Sequence, residues 1–313
     1  MTRLLRRREA GVGLALLLLA AALAWHVPAF RESGNLFLVS RQIAYVAILA
    51  LGVFFTILTA GIDLSIGSLV SLSGVIGALA MSRAGVPPVL GLAAGLLVGA
   101  ALGAVNGGLV AYAGVAPFIV TLGMMSVARG LVLIITHGDS IRDVPKGVVD
   151  ALNGNVGPIA GAVLVLLVVA LAAHLLLAHT RFGRALYAVG GNETAAALSG
   201  VQTRRIKLCA YVLSGLFSAL VGLLYIGRYS AAQADIGKGM ELDGIAAAVI
   251  GGTSLMGGQG TVLGVILGAT LMGVIRNGLV LLQVSGYWQE LVIGVIIVLA
   301  ALLDIVRARG TRR

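Results

Sequence analysis

Charge is scarce in this chain of 313 residues: only 11% are Asp, Glu, Lys or Arg, and cysteine occurs once. The lone Cys209 excludes an internal disulfide, and the absence of any CxxC pair excludes a thiolate redox or metal motif. The four histidines, His26, His137, His174 and His179, are scattered, and the nearest two are five apart, a poor spacing for ligands. No metal site is expected. A glycine-rich loop followed by Lys-Ser or Lys-Thr is missing, so the chain does not hydrolyse ATP through a phosphate loop of that kind. Nor is there a nucleophile with an acid–base pair at plausible spacing, which argues against an enzyme. A relay of acidic groups or histidines, as an ion-coupled transporter needs, has only Asp63 and Glu290 to draw on, both near span ends.

What the sequence does have is apolar residues, at 59%, and a mean hydropathy of +1.06. No soluble fold of this length hides so much apolar surface, so the class is an all-α integral membrane protein. Its 45 glycines suit that class, since small residues let membrane helices approach closely where lipid supplies no hydrophobic drive. Crossing a bilayer takes about 20 apolar residues. Runs of that kind lie near 11–30, 42–60, 64–82, 89–113, 117–136, 159–178, 208–227, 261–282 and 287–306, with a shorter one at 244–256.

Basic residues set the direction. The N-terminal MTRLLRRRE, residues 179–207 and residues 304–313 together carry the entire net charge of +10, while 137–158 and 228–243 are each net negative. The excess of Lys and Arg on cytoplasmic segments puts both termini and 179–207 in the cytoplasm. Ending inside then requires the 244–256 run to cross, or partly cross, for a total of about ten crossings. One transmembrane domain, 1–313, results, with a cytoplasmic tail 1–10, a loop 179–207 and a tail 307–313. The basic charge is thus topology, and no nucleic acid partner is expected. Arg3 to Arg8 followed by an apolar run and Ala-Leu-Ala at 22–24 imitates a cleavable signal peptide. The run opens a polytopic chain, and an uncleaved first helix is expected.

GIDLSIGSLVSLSG (61–74) and GIAAAVIGGTSLMG (244–257) align without gaps, and VNGGLV (105–110) echoes IRNGLV (275–280) at another offset. The counterparts in the first pair are an odd number of crossings apart, so the repeat is expected to be inverted, as in many transporters with interrupted helices. The polar residues inside spans are few: Asp63, Ser65, Ser68, Ser71, Ser73, Asn106, Thr121, Arg129, Thr253, Arg276, Asn277 and Gln283. Asp63, Ser65, Asn106, Thr253, Arg276 and Asn277 are the candidates for a pathway or gate. Against a pathway role, Asp63 reads as the N-cap of a helix over 64–82, the serines as interhelical packing, and Arg129 as an ion-pair partner or a snorkelling side chain. Five glycines in ten residues, Gly251, Gly252, Gly257, Gly258 and Gly260, predict a break in a helix with close backbone packing.

GGNETAAALSG (190–200) is a polar island among the densest internal charges. Asn192 or Thr194 can cap a short helix through Ala195, Ala196 and Ser199, with Glu193 near its positive end and Gly200 as its stop. Such a helix, lying on the cytoplasmic surface, is either a handle for another protein or an ordinary loop helix.

Glu193, Ala195, Ala196 and Gly200 resemble the EAA-x-x-x-G signature of permease subunits of ATP-binding-cassette importers, with one residue inserted. GIDLSIGSLVSLSG, VNGGLVAYAGVAPFIVTLGMMSVARGL, RFGRALYAVGGNETAAALSGV, ELDGIAAAVIGGTSLMGGQGTVLG and RNGLVLLQVSGYWQELVIGVIIVLAALLD resemble the ribose-type monosaccharide branch, in order, over roughly 41 to 306. The resemblance implies a permease dimer, identical or mixed, in the bacterial inner membrane. A cytosolic ATPase pair would hold the 192–200 helices and bind the ATP and Mg, with no cofactor in this chain. An extracytoplasmic binding protein would deliver a pentose or hexose. Arg276, where an uncharged residue is expected, departs from the pattern. Importers of nucleosides, branched-chain amino acids or a furanosyl signal molecule are the nearest alternative; an ion-coupled transporter is more remote.

Overall fold

A computed structural model describes the chain from Thr2 to Gly310; Met1 and residues 311–313, parts of the two basic tails, lie outside the described residues. Helix α1 (Thr2–His26) leads through a 3-10 turn (Pro28–Arg31) into α2 (Ser33–Leu58), followed by α3 (Ile66–Ser82), α4 (Pro88–Ala111) and α5 (Pro117–Thr136). Both α4 and α5 open on a proline, whose fixed φ and missing N–H suit the first helical position. A short α6 (Lys146–Leu152) and an antiparallel hairpin, β1 (Asn155–Val156) and β2 (Ile159–Ala160), come next. Then follow α7 (Gly161–His179), α8 (Arg181–Gly191), α9 (Glu193–Leu198), α10 (Thr203–Tyr229), α11 (Met240–Ile250), α12 (Val262–Leu281) and α13 (Gly286–Gly310). Among the described residues, α1, α2, α4, α5, α7, α10 and α12 contain spans long and apolar enough to cross a membrane.

At the centre lies α2, whose residues Ala44 to Leu58 are buried without interruption. A helix that is apolar all round belongs inside, and here it has neighbours on every face. It runs antiparallel to α10. Tyr45 meets Tyr225 at 4.5 Å between ring centroids, Arg228 donates to Gln42 at 2.8 Å, and Phe55 meets Phe217 edge-on at 5.9 Å.

The tightest packing is between α4 and α10. Gly91, Gly95, Gly99, Gly103 and Gly107 recur every fourth residue of α4 and are all buried on one face. A Cβ at Gly99 would strike the carbonyl of Gly215, one at Gly103 the carbonyl of Tyr211, and one at Gly107 the Cα of Leu208. Backbone therefore lies on backbone from Gly99 to Gly107, against Leu208 to Gly215 of α10, while Gly91 and Gly95 approach the carbonyls of Gly77 and Ser73 in α3. On the neighbouring face of α10, Gly222 meets Val70 and Gly74 of α3 with the same lack of room. A second group forms around α2, against which α11 and α12 pack, with α1 outside α12.

Two connections enter the bundle instead of staying at its ends. Residues 59–65 after α2 are not helical, and α3 starts beside Ser214, about 17 Å along α10 at 1.5 Å per residue. Residues 230–239 after α10 return into the bundle until Gly237 N donates to Ser71 Oγ of α3 at 3.2 Å, and only then does α11 begin. At eleven residues α11 covers roughly 16 Å, half the hydrocarbon thickness of a bilayer. The apolar run 244–256 is thus not one helix: it ends at Ile250 and continues irregularly through 251–261.

That break also corrects the ungapped repeat. In 61–74 the irregular part precedes the helix; in 244–257 it follows it. Composition aligned the glycines and small residues, while the backbone places the breaks on opposite sides. The loops hold more structure than expected as well. Residues 137–158 contain α6 and the start of the hairpin, and 179–207 contain α8, α9 and the opening of α10.

Replacing Gly103 by Leu is expected to lower stability in detergent by about 1–3 kcal/mol or more, because α4 cannot move away from α10 without losing the whole stripe. Gly108→Ala, where a Cβ meets nothing within 4 Å, serves as the comparison. Thermal unfolding of the two purified variants checks this; equal midpoints would refute the dependence on close approach.

Candidate functional site

The six pathway candidates do not gather in one place. Asp63, Ser65 and Asn106 do meet, where α3, α4, α5 and α10 converge. Asp63 is fully buried in the turn before α3 and accepts from Ser65 N at 3.0 Å, Ser65 Oγ at 2.6 Å and Ser214 Oγ at 2.8 Å. Asn106 Nδ2 donates to Ser65 Oγ at 2.9 Å, while its Oδ1 finds no partner among the described residues. The hydroxyls of Tyr211 and Thr121 each reach the Ile62 carbonyl at 3.3 Å. Asp63 is not the N-cap of α3. That position falls to Ser65, whose side chain makes no capping bond. Asp63 instead closes an Asx-type turn on the N–H two residues ahead and ties it to α10. Ser214 and Tyr211 had no sequence signal of their own, since a Ser or Tyr in an apolar span is ordinary.

Arg276 lies elsewhere. Its guanidinium pairs with Asp243 at 2.5 Å, and Arg129 of α5 pairs with Glu241 at 2.8 Å. Both carboxylates stand in the first turn of α11, where the positive end of the helix favours them. Each is about nine-tenths buried, whereas the two arginines keep roughly a third of their side chains exposed, 37% and 35%. One half-length helix is thereby held from two sides by charge, by α5 and by α12. The sequence left Glu241 and Asp243 in a net-negative loop. The missed signal was that two arginines inside apolar spans call for two acids, and these were the acids nearest a span.

Asn277 turns the other way, exchanging both amide hydrogen bonds with Asn35 of α2 at 3.1 and 2.8 Å. Thr253 is buried in the irregular segment after α11, its hydroxyl without a partner among the described residues. In that segment Gly252, Gly257, Gly258 and Gly260 all have positive φ, and Gly251 ends α11 with no room between it and Gly264. Thr261 then caps α12, accepting from Gly264 N at 3.0 Å and donating to Glu9 of α1.

At this same end of the bundle stands α9. Asn192 caps it, accepting from Ala195 N at 2.9 Å, and Thr194 does not. Glu193 accepts from Lys207 of α10 at 2.6 Å, Ser199 donates to the Ala195 carbonyl, and Gly200 follows with φ +82°. Ala196 faces inward while Leu198 is 85% exposed, an apolar side chain held out on a six-residue helix.

Residues 35–301 match the family described as branched-chain amino acid transport system / permease component, and the chain belongs to that family. It is 43% identical over 297 residues to the ribose import permease protein RbsC of Escherichia coli (strain K12), covering 93% of this chain and 92% of that protein. With RbsC of Bacillus subtilis (strain 168) it shares 42% over 301 residues, 95% of this chain and 92% of the other. With the D-allose transport system permease protein AlsC of Escherichia coli (strain K12) it shares 40% over 276 residues, 88% and 84%. No solved structure matches. The resemblance drawn from the motifs is borne out: the chain is a membrane-embedded permease of this family.

Arg276→Met is expected to cost about 3–5 kcal/mol by leaving Asp243 buried without its countercharge. Adding Asp243→Asn should recover most of that loss. Folded yield and detergent stability of the single and double variants check it; a double variant no better than the single would deny that the pair acts as a unit.

Proposed function

We propose that this chain is the pathway-forming permease subunit of an ATP-driven importer for a monosaccharide, ribose being the first substrate to try. The observation that carries the reading is identity of about two residues in five over nearly the full length to permeases named for ribose and allose import. In this reading α8, α9 and both termini face the cytoplasm of a bacterium through the inner membrane. A cytosolic ATPase holds α9 by its exposed Leu198 and its Ala face, and supplies the ATP and Mg chemistry. An extracytoplasmic binding protein docks at the opposite end, where α6 and the hairpin lie. The permease pairs with a second copy or a sister chain.

In this reading the chain crosses ten times, α3 and α11 counting as interrupted crossings. The packing supports a two-fold relation in which α2, α3 and α4 correspond to α10, α11 and α12. Thus α4 lies on α10 as α12 lies on α2, and α3 lies on α10 as α11 lies on α2. The partly exposed faces of Arg129 and Arg276 favour water or a partner over lipid, since a charge facing hydrocarbon is costly. The translocation route is accordingly placed along α5, α11 and α12.

The test is co-purification of the chain with the ATPase encoded beside it, followed by ATPase assays with binding protein loaded with ribose, allose, arabinose or, as a control, leucine. Stimulation by one loaded sugar supports the reading; stimulation by leucine alone, or no associated ATPase, overturns it. Glu193→Lys, which sets two cations against each other at Lys207, and Gly200→Val, which cannot relax at positive φ, should each abolish uptake while membrane insertion persists. Uptake at the parental level in both would refute docking through α9.

A further inference from the structure

At the end of the bundle that carries α9, three backbone strands meet with no side chain between them. Gly258 N, in the irregular segment joining α11 to α12, donates to the carbonyl of Leu58, the last residue of α2, at 3.0 Å. Gly190, in the last turn of α8, lies against both: a Cβ there would overlap the Leu58 carbonyl and sit 2.5 Å from Gly258 N. A Cβ at Gly258 would lie 2.7 Å from Gly191 N, and one at Gly257 would lie 2.8 Å from Ala60 N and 2.9 Å from the Gly190 carbonyl. Tyr187, one turn back in α8, adds a hydrogen bond from its hydroxyl to the Gly260 carbonyl at 2.9 Å.

The position of this junction gives it consequence. On one side Gly191 is followed directly by Asn192, which both ends α8 and caps α9. On the other side Leu58 leads into the turn of Asp63 before α3, and Gly258 lies between the half-length α11 and α12. The end of α2 and the 251–260 segment thus both lie against Gly190. Side chains can hop between rotamers and absorb a small displacement; backbone stacked on backbone has no such slack. α9 also joins α10, through residues 199–202 and through the exposed Glu193–Lys207 pair, and exposed ion pairs contribute little.

We propose that the Gly190–Leu58–Gly258 junction, pinned by Tyr187, is the relay that carries movement of α9 to both helix breaks. It works as a rigid knot, so that displacement of α9 shifts the end of α2 and the 251–260 segment together. Gly190 and Tyr187 are positioning residues that touch neither sugar nor nucleotide. This rests on the importer reading above.

The experiment uses the whole importer, permease with its ATPase and binding protein, in liposomes, with radiolabelled D-ribose as the probe. The quantity read is sugar taken up per ATP hydrolysed, together with the amount of ATPase retained on the permease. Gly190→Ala is expected to lower the ratio roughly tenfold and Tyr187→Phe several-fold, with ATPase retention unchanged. Gly191→Ala, adjacent but with nothing within 4 Å of its Cβ, should keep the parental ratio. A parental ratio in an assembled Gly190→Ala importer overturns the relay. Should that variant not assemble, Tyr187→Phe decides alone, because removing one hydroxyl leaves the packing in place. Failure of the parental chain to bind the ATPase, or to take up any of ribose, allose and arabinose, counts against the importer reading itself and shows before any variant is made.

Discussion

Everything in this structure hangs on helices touching through backbone. In lipid, apolar side chains gain nothing by leaving one another's company for hydrocarbon, so association depends on van der Waals contact and hydrogen bonds. Gly99, Gly103 and Gly107 supply that contact along α10, and Gly91 and Gly95, with the Gly74–Gly222 approach, extend it to α3. With α4 and α3 seated this closely, the turn at 59–65 comes within reach of α10. Asp63 can then be held by Ser214 and sheltered by Tyr211. The polar cluster is a consequence of the glycine packing, for a bulkier α4 would leave Asn106 out of reach of Ser65.

The second constraint is that irregular backbone and charge inside a membrane protein must find partners within the protein. Residues 59–65 and 230–239 meet it differently. The first turn is closed by a carboxylate and four hydroxyl-bearing side chains, plus an asparagine amide. The second is received by Ser71 and by the narrow space beside Gly67, after which α11 begins with two carboxylates that α5 and α12 neutralise. The short α11 is thus held twice, by ion pairs at its first turn and by burial of Ala246, Ala247 and Ala248 beyond it.

A permease of this family has to join chemistry at one membrane face to motion within the bilayer. The geometry offers few connections for that purpose. Helix α9 buries only Ala196, and α8 lies against the end of α2 and the 251–260 segment. The glycines there do more than break helices. Their missing side chains bring three separate strands into one contact, where a Cβ on any of them would force the strands apart.

Much of the molecule was legible in its sequence, because the bilayer imposes local rules. Apolar run length marked the spans, the basic segments separated the two ends, and Asn192, Glu193 and Gly200 announced a short capped helix from a few adjacent residues. Those features need no knowledge of distant partners. What the tertiary structure alone decided was pairing. Arg129 could have snorkelled and Arg276 could have stood free in the pathway, but α11 re-enters where Glu241 and Asp243 can meet them. The glycines of 244–257 matched those of 61–74 in spacing, yet one set follows a helix and the other precedes it. Gly190 looked like a loop residue until Leu58 and Gly258 were found against it. Local propensity fixes where a helix starts and stops; which backbone lies against which is a long-range choice, made by the few arrangements that leave no charge or carbonyl stranded in lipid.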